Sequence, residues 1–154
     1  MDAKQFKSFI VKPVLDQMDL GGVAAVNLLT GTAMVESGIG FVRQIPNGPA
    51  VSFFQMEMNT HDDIWENFLK YKKTLAAKVR AFKIPVLNDV QNMQANSAYA
   101  VAMCRIHYLR MPEQLPEYDD PIAMARYHKL WYNTPLGKTQ IEKSIPLFRT
   151  AIQL

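Results

Sequence analysis

Glu36 is the first charged residue after Asp19, and Ser37, Gly38 and Gly40 follow it closely. An apolar setting disfavours the ionised form of a carboxyl. A carboxylic acid that keeps its proton near neutral pH can protonate a leaving-group oxygen, the acid's part in glycoside hydrolysis. An ordinary glutamate at a helix end, partly solvated or bonded to a neighbouring amide, fits the same spacing.

A two-carboxylate mechanism would draw its partner from Glu57, Asp62 or Asp63. Asp62 and Asp63 are more simply first-turn charges of a helix with Thr60 as its N-cap. Cys104 and His107 lie three apart, and His61 or His128 would have to complete a zinc site with them. No H-x-x-x-H or C-x-x-C pair accompanies them, so no metal and no cofactor is expected. A Cys104–His107 nucleophile and base would share one helix, which rarely leaves room for a substrate.

These residues need elements to hold them. "LGGVAAVNLLTGTAMVESG" has the small and aliphatic composition of a helix buried on nearly all sides, with Gly38 and Gly40 as stop signals. Glu36 then falls in the last turn of a central helix. Before it, Phe6, Phe9, Ile10, Val14 and Leu15 recur at helical spacing, and Pro13 limits or restarts the turn, giving one or two short helices. "IGFVRQIPNGPAVSFFQ" predicts a short irregular hairpin or loop around Pro46–Pro49. The spacing predicts further helices over 60–83 and 86–111, an acidic loop over 112–120, and a final helical pair broken at "TPLG". The expected architecture is mainly α, a single domain over residues 1–154.

Hydrophobic residues make up 49% of the chain, enough for a real core, and the net charge of +3 (17 Lys and Arg against 14 Asp and Glu) dictates no partner. One cysteine excludes an internal disulfide framework. The start "MDAKQFKSFIVKP" has no apolar signal core, and residues 20–35 are too few and too polar to span a bilayer, so neither classical export nor membrane insertion is expected. Lys70, Lys72, Lys73, Lys78, Arg80 and Lys83 read as a solvated helix face with Leu75, Val79 and Phe82 turned to the core. They are the sole basis for a nucleic-acid partner, which is not expected.

Several short motifs, taken in order, resemble the soluble lytic transglycosylases, a lysozyme-like family. Its catalytic Glu-Ser matches Glu36-Ser37. Its G-L-M-Q-x-x-P-x-T stretch is similar to "AVSFFQMEMNT", with Gln55 on the Gln and Thr60 on the Thr. Its A-Y-N resembles Trp131-Tyr132-Asn133, and "ESGIG", "RQIPNGPA", "FQMEMNTHDDIW" and "WYNTPLG" are similar in wording to small bacteriophage proteins with this domain. The likeness covers about residues 25 to 137. Ser52, Phe53, Met58 and Trp131 depart from the family's Gly, Leu, Pro and small residue.

The resemblance implies a lysozyme-like fold and, as substrate, the glycan strand of peptidoglycan, cut between N-acetylmuramic acid and N-acetylglucosamine. Glu36 would be general acid and then base, and Ser37, Gln55, Thr60 and Tyr132 would form the sugar site, with Glu57 as a lesser member. Trp131, Tyr127 and Tyr132 offer stacking faces, although core packing is the simpler use of at least one. The implied setting is a phage virion, or the host cytoplasm before release to the wall, with other virion proteins as further partners. The competing expectation is a structural or adaptor virion protein that keeps the fold without turnover.

Overall fold

Residues 3–17 run as one helical stretch, because a wider turn lets the chain pass Pro13. Helix α1 (Ala3–Phe6) leads into a π-helical turn over Lys7–Val11, in which the Lys12 N–H bonds back to the Lys7 carbonyl, and α2 (Lys12–Gln17) follows. The turn falls just ahead of the residue that has no N–H with which to continue the ladder. The structure is a computed structural model that describes residues 1–133 and 137–154. Thr134, Pro135 and Leu136, most of the predicted "TPLG" break, lie outside the described residues.

Central helix α3 (Val23–Ser37) starts after Gly22 and ends at Gly38, which takes the left-handed conformation at φ +59 and returns its N–H to the Met34 carbonyl. It is apolar nearly all round, as the sequence predicts, so other elements must cover it on every side. Leu28, Leu29 and Ala33 are fully buried. Thr30 and Thr32 hide their hydroxyls by donating to the Val26 and Leu28 carbonyls at 2.7 and 2.8 Å.

The hairpin differs in detail from the predicted one. Strands β1 (Ala50–Val51) and β2 (Met56–Glu57) pair antiparallel, Ala50 opposite Glu57 and Val51 opposite Met56. The turn joining them is Ser52–Gln55, not Pro46–Pro49. The proline turn closes only an isolated Arg43–Val51 bridge, with the Gln44 N–H on the Ala50 carbonyl at 2.9 Å. Two prolines cannot donate to a ladder, so pairing extends on the other side.

The helix predicted over 60–83 is two. Helix α4 (Met58–Asn67) begins before Thr60, so Glu57 occupies the cap position and Thr60 lies within the first turn. Phe68 leaves the helical region at φ −131, a 3₁₀ turn spans Leu69–Tyr71, and α5 (Lys73–Arg80) follows. Ile64 and Leu69, both buried, are five positions apart. On an unbroken helix they would point about 140° apart, so the break lets both reach the core.

A second predicted helix also divides, into α6 (Asp89–Ala95) and α7 (Ser97–Leu109). Asn88 and Gln91 form a reciprocal capping box on α6, and Asn96 caps α7 by accepting from the Tyr99 N–H at 3.2 Å. Helix α8 (Pro121–His128), capped by Asp120, continues in a π-helical turn over Lys129–Asn133. The last helix is α9 (Ile141–Gln153), which packs against α3 and α8. The chain is therefore mainly α, with a short hairpin between α3 and α4. One connected core runs from Phe6 to Phe148, and among the described residues no helix is long and apolar enough to cross a membrane.

Candidate functional site

Glu36 opens into a cleft of about 970 Å³. α3 supplies Glu36, the hairpin Gln55 and Glu57, α4 Thr60, α7 His107 with Arg110 at its C-cap, and the π turn after α8 Trp131 and Tyr132. Five of the six residues singled out in the sequence thus share one concavity. Ser37 does not line it.

Ser37 has a different place. It is buried, its hydroxyl donates to the Phe53 carbonyl at 2.7 Å, and the Ile39 N–H donates to it at 3.2 Å. The Tyr132 hydroxyl donates to the next carbonyl, Phe54, at 2.8 Å. The loop before Gln55 is thus held from both sides, which matters because Ser52 and Gln55 stand at φ +71 and +48, costly backbone for residues other than glycine. The Gln55 side-chain amide closes the turn by donating to the Ser52 carbonyl at 2.7 Å.

Behind Glu36 stands His128, with Nε2 2.8 Å from Oε1 of the carboxyl. The imidazole is fully buried, whereas the Glu36 side chain keeps 14% of its surface exposed. Tyr132 stacks on one face of the ring, with centroids 5.7 Å apart, and Phe148 lies 5.8 Å away. Nδ1 is buried and has no partner among the described residues. An orphaned N–H is costlier than an orphaned lone pair, so the proton belongs on Nε2, donated to Glu36. Oε2 has no protein partner among the described residues and is the oxygen left to the cleft.

The sequence offers His128 only as a zinc ligand; its place one helical turn before Tyr132 puts it near that residue but does not reveal Glu36 as its partner.

Across the cleft, the Arg110 guanidinium bonds the Asp63 carboxylate and donates to Nδ1 of His107 at 3.2 Å. Burial first, and the Arg110 charge second, push His107 down to about 4. The hydrogen bonds from Arg110 and Asn67 hold Asp63 below the usual carboxylate range. Asp63 is thereby engaged with a cation, while Glu57 is exposed on the rim.

Cys104, His107, His61 and His128, the residues a zinc site would have needed, do not bring their donor atoms together. Cys104 is buried in contact with the Tyr132 hydroxyl, and burial pushes its thiol well up, which also removes it as a nucleophile. Among the described residues, the group whose donor atoms approach one another is His61, Asp62 and Asp89, within 4.8 Å. Trp65 Nε1 donates to the Tyr99 hydroxyl at 2.9 Å, and the hydroxyl can donate to His61 Nε2, leaving the Nδ1 proton for Asp62. Asp89 holds Lys83 at 2.5 Å. Each proton in that chain has an acceptor without an ion, and the residues fit a structural network better than a metal site.

The aromatic residues divide. Trp131 and Tyr132 line the cleft, while Tyr127 stacks on Tyr108 at 5.5 Å and donates to the Glu113 carbonyl. The basic residues of α5 are largely solvated, with Val79 in the core. Comparison with protein-family models, with curated proteins and with solved structures finds no match in any of the three.

Proposed function

We propose that this chain cleaves the β-1,4 bond between N-acetylmuramic acid and N-acetylglucosamine in peptidoglycan, with Glu36 as general acid and then general base. The observation that carries the reading is the free oxygen of Glu36 facing a cleft that also gathers Gln55, Thr60 and Tyr132. The motif resemblance supplies the substrate. With Oε1 held by His128, a proton on Oε2 is the one available to the glycosidic oxygen. Its transfer breaks the C1–O bond as oxocarbenium character develops, and the substrate's acetamido group stabilises that charge. The Glu36 carboxylate so formed then takes a proton from the muramyl 6-hydroxyl, giving a 1,6-anhydro end, or from water, giving a reducing end. His128 donates more strongly to the carboxylate than to the acid and so favours the transfer.

The test is release of soluble muropeptides from purified peptidoglycan by wild type and by Glu36→Gln, with products identified by mass. Loss of at least about a hundredfold in the variant is expected from removal of a general acid. Anhydro ends would indicate a transglycosylase, reducing ends a lysozyme. Equal inertness of both proteins on walls of the correct host would sink the reading.

One observation favours a second reading. The Gln55 amide and the Tyr132 hydroxyl, both assigned to the sugar, are engaged with loop carbonyls. That is the behaviour expected of a virion structural or adaptor protein without turnover. Mass spectrometry of purified virions, together with wall inertness, would select it.

A further inference from the structure

Along the C-terminal half of α7 lies a second concavity, of about 310 Å³, at the lower end of ligand-pocket sizes. The loop after α7 closes it with Pro112 and Leu115, and Tyr127 reaches it from α8. Its walls are mostly apolar or aromatic. The polar members of the lining are Glu113 and Gln114, both exposed, and Arg105, which is 7% exposed. Its Nε donates to the Leu20 carbonyl at 3.0 Å, and among the described residues neither terminal amino group has a partner and no carboxylate comes within ion-pair distance.

Those terminal nitrogens are not fully buried and stay open to water from the pocket, but a guanidinium this enclosed and without a counter-ion has lost much of its hydration, which a bound anion would offset. The tether to Leu20 occupies Nε and so leaves the two terminal nitrogens for an end-on two-point pair with a carboxylate. Glu113, on the rim, could have supplied the missing charge, but it is exposed and makes no ion pair among the described residues. A single cation in a small apolar pocket suits one negative charge carried on a flat apolar body. A dianion such as phosphate would bring in more charge than Arg105 matches, with little else to solvate it.

We infer that the pocket formed by Arg105, Leu109, Pro112, Leu115 and Tyr127 binds a small monocarboxylate, its carboxylate paired with the terminal nitrogens of Arg105 and its apolar part against Leu115 and Tyr127. The site is independent of the Glu36 cleft, although Met111 borders both.

The test is a chemical-shift titration of the ¹⁵N-labelled full chain with benzoate, with its uncharged analogue benzamide and with inorganic phosphate. Benzoate should shift the amides of residues 109–115 and Tyr127 saturably, and both benzamide and phosphate should bind at least tenfold more weakly. Leu115→Trp, which fills the pocket from the loop, and Arg105→Gln should each weaken benzoate at least tenfold. The comparison of ligands on the wild type stands even if Arg105→Gln does not fold. No saturable benzoate shift, or equal binding of benzamide or phosphate, overturns the inference. So does undiminished benzoate binding in a folded Arg105→Gln chain. None of these outcomes depends on whether peptidoglycan is cleaved.

Discussion

His128 and Glu36 are 92 positions apart in sequence, yet Nε2 of the one lies 2.8 Å from Oε1 of the other. A histidine fully enclosed by Tyr132, Phe148 and the end of α3 has little freedom to turn, so it fixes which carboxyl oxygen the cleft receives. His128→Leu removes the donor, and His128→Gln keeps an N–H near the Nε2 position. On the proposed function, muropeptide release by the leucine variant should fall about ten- to hundredfold, the worth of a hydrogen bond to a charged group, with the glutamine variant in between. The loss should appear in kcat rather than KM, because His128 does not line the cleft. Unchanged turnover in a folded His128→Leu chain would show that the pair only packs.

His107 makes stability depend on pH. Its folded value is about 4 against 6.5 for the ordinary side chain, so between those values the unfolded chain binds the proton and the native chain does not. Stability from this residue is therefore present above about pH 6.5 and is lost as pH falls toward 4. The full loss is about 3 kcal/mol. Urea unfolding at several pH values should show that slope, and His107→Gln should flatten it. An identical slope in the variant would assign the effect to other groups.

Tyr132→Phe deletes the hydroxyl that holds the Phe54 carbonyl and leaves that carbonyl without its side-chain donor. A cost of about 1 kcal/mol in denaturant unfolding is expected. Faster hydrogen exchange at the Gln55 amide, which closes the same turn on the Ser52 carbonyl, would locate the damage. Exchange unchanged there would mean that Ser37 alone holds the loop.

Gly31 is where α9 meets the central helix. A Cβ at this position would fall 2.1 Å from Cδ1 of Phe148 and 2.4 Å from Cε1, ring atoms of a fully buried side chain. Gly31→Ala should destabilise the chain by about 1–3 kcal/mol despite alanine's better helix propensity. A thermal midpoint equal to or above that of wild type would mean that the two helices separate freely.

The central helix was legible because its pattern is extreme: no charge from residue 20 to 35, then a glycine able to turn the chain at Gly38. The helix break at Phe68 was not, since burying Leu69 is a demand of partners far away in sequence, whereas the break at Asn96 rests on a local signal, its cap on the Tyr99 N–H, that the continuous apolar pattern hid. The membership of the cleft followed from short motifs, while Ser37's inward direction depends on the Phe53 carbonyl, supplied by a loop whose path the sequence does not reveal. His128 was visible as a residue but not as a partner, because its relation to Glu36 exists only once α8 and α9 have packed against α3.

That last dependence bears on how the molecule assembles. The cleft joins Glu36 to His128, Tyr132 to Phe54 and Arg110 to Asp63, contacts that span 92, 78 and 47 positions. Closing such loops costs chain entropy before any contact offsets it, and contacts of large sequence separation slow the approach to the native state. The individual helices can form early from local signals such as the Asn88 box, yet none carries the cleft by itself. On the proposed function, muropeptide release during refolding should consequently lag behind the recovery of helical signal, and so would time the final docking of the carboxy-terminal helices.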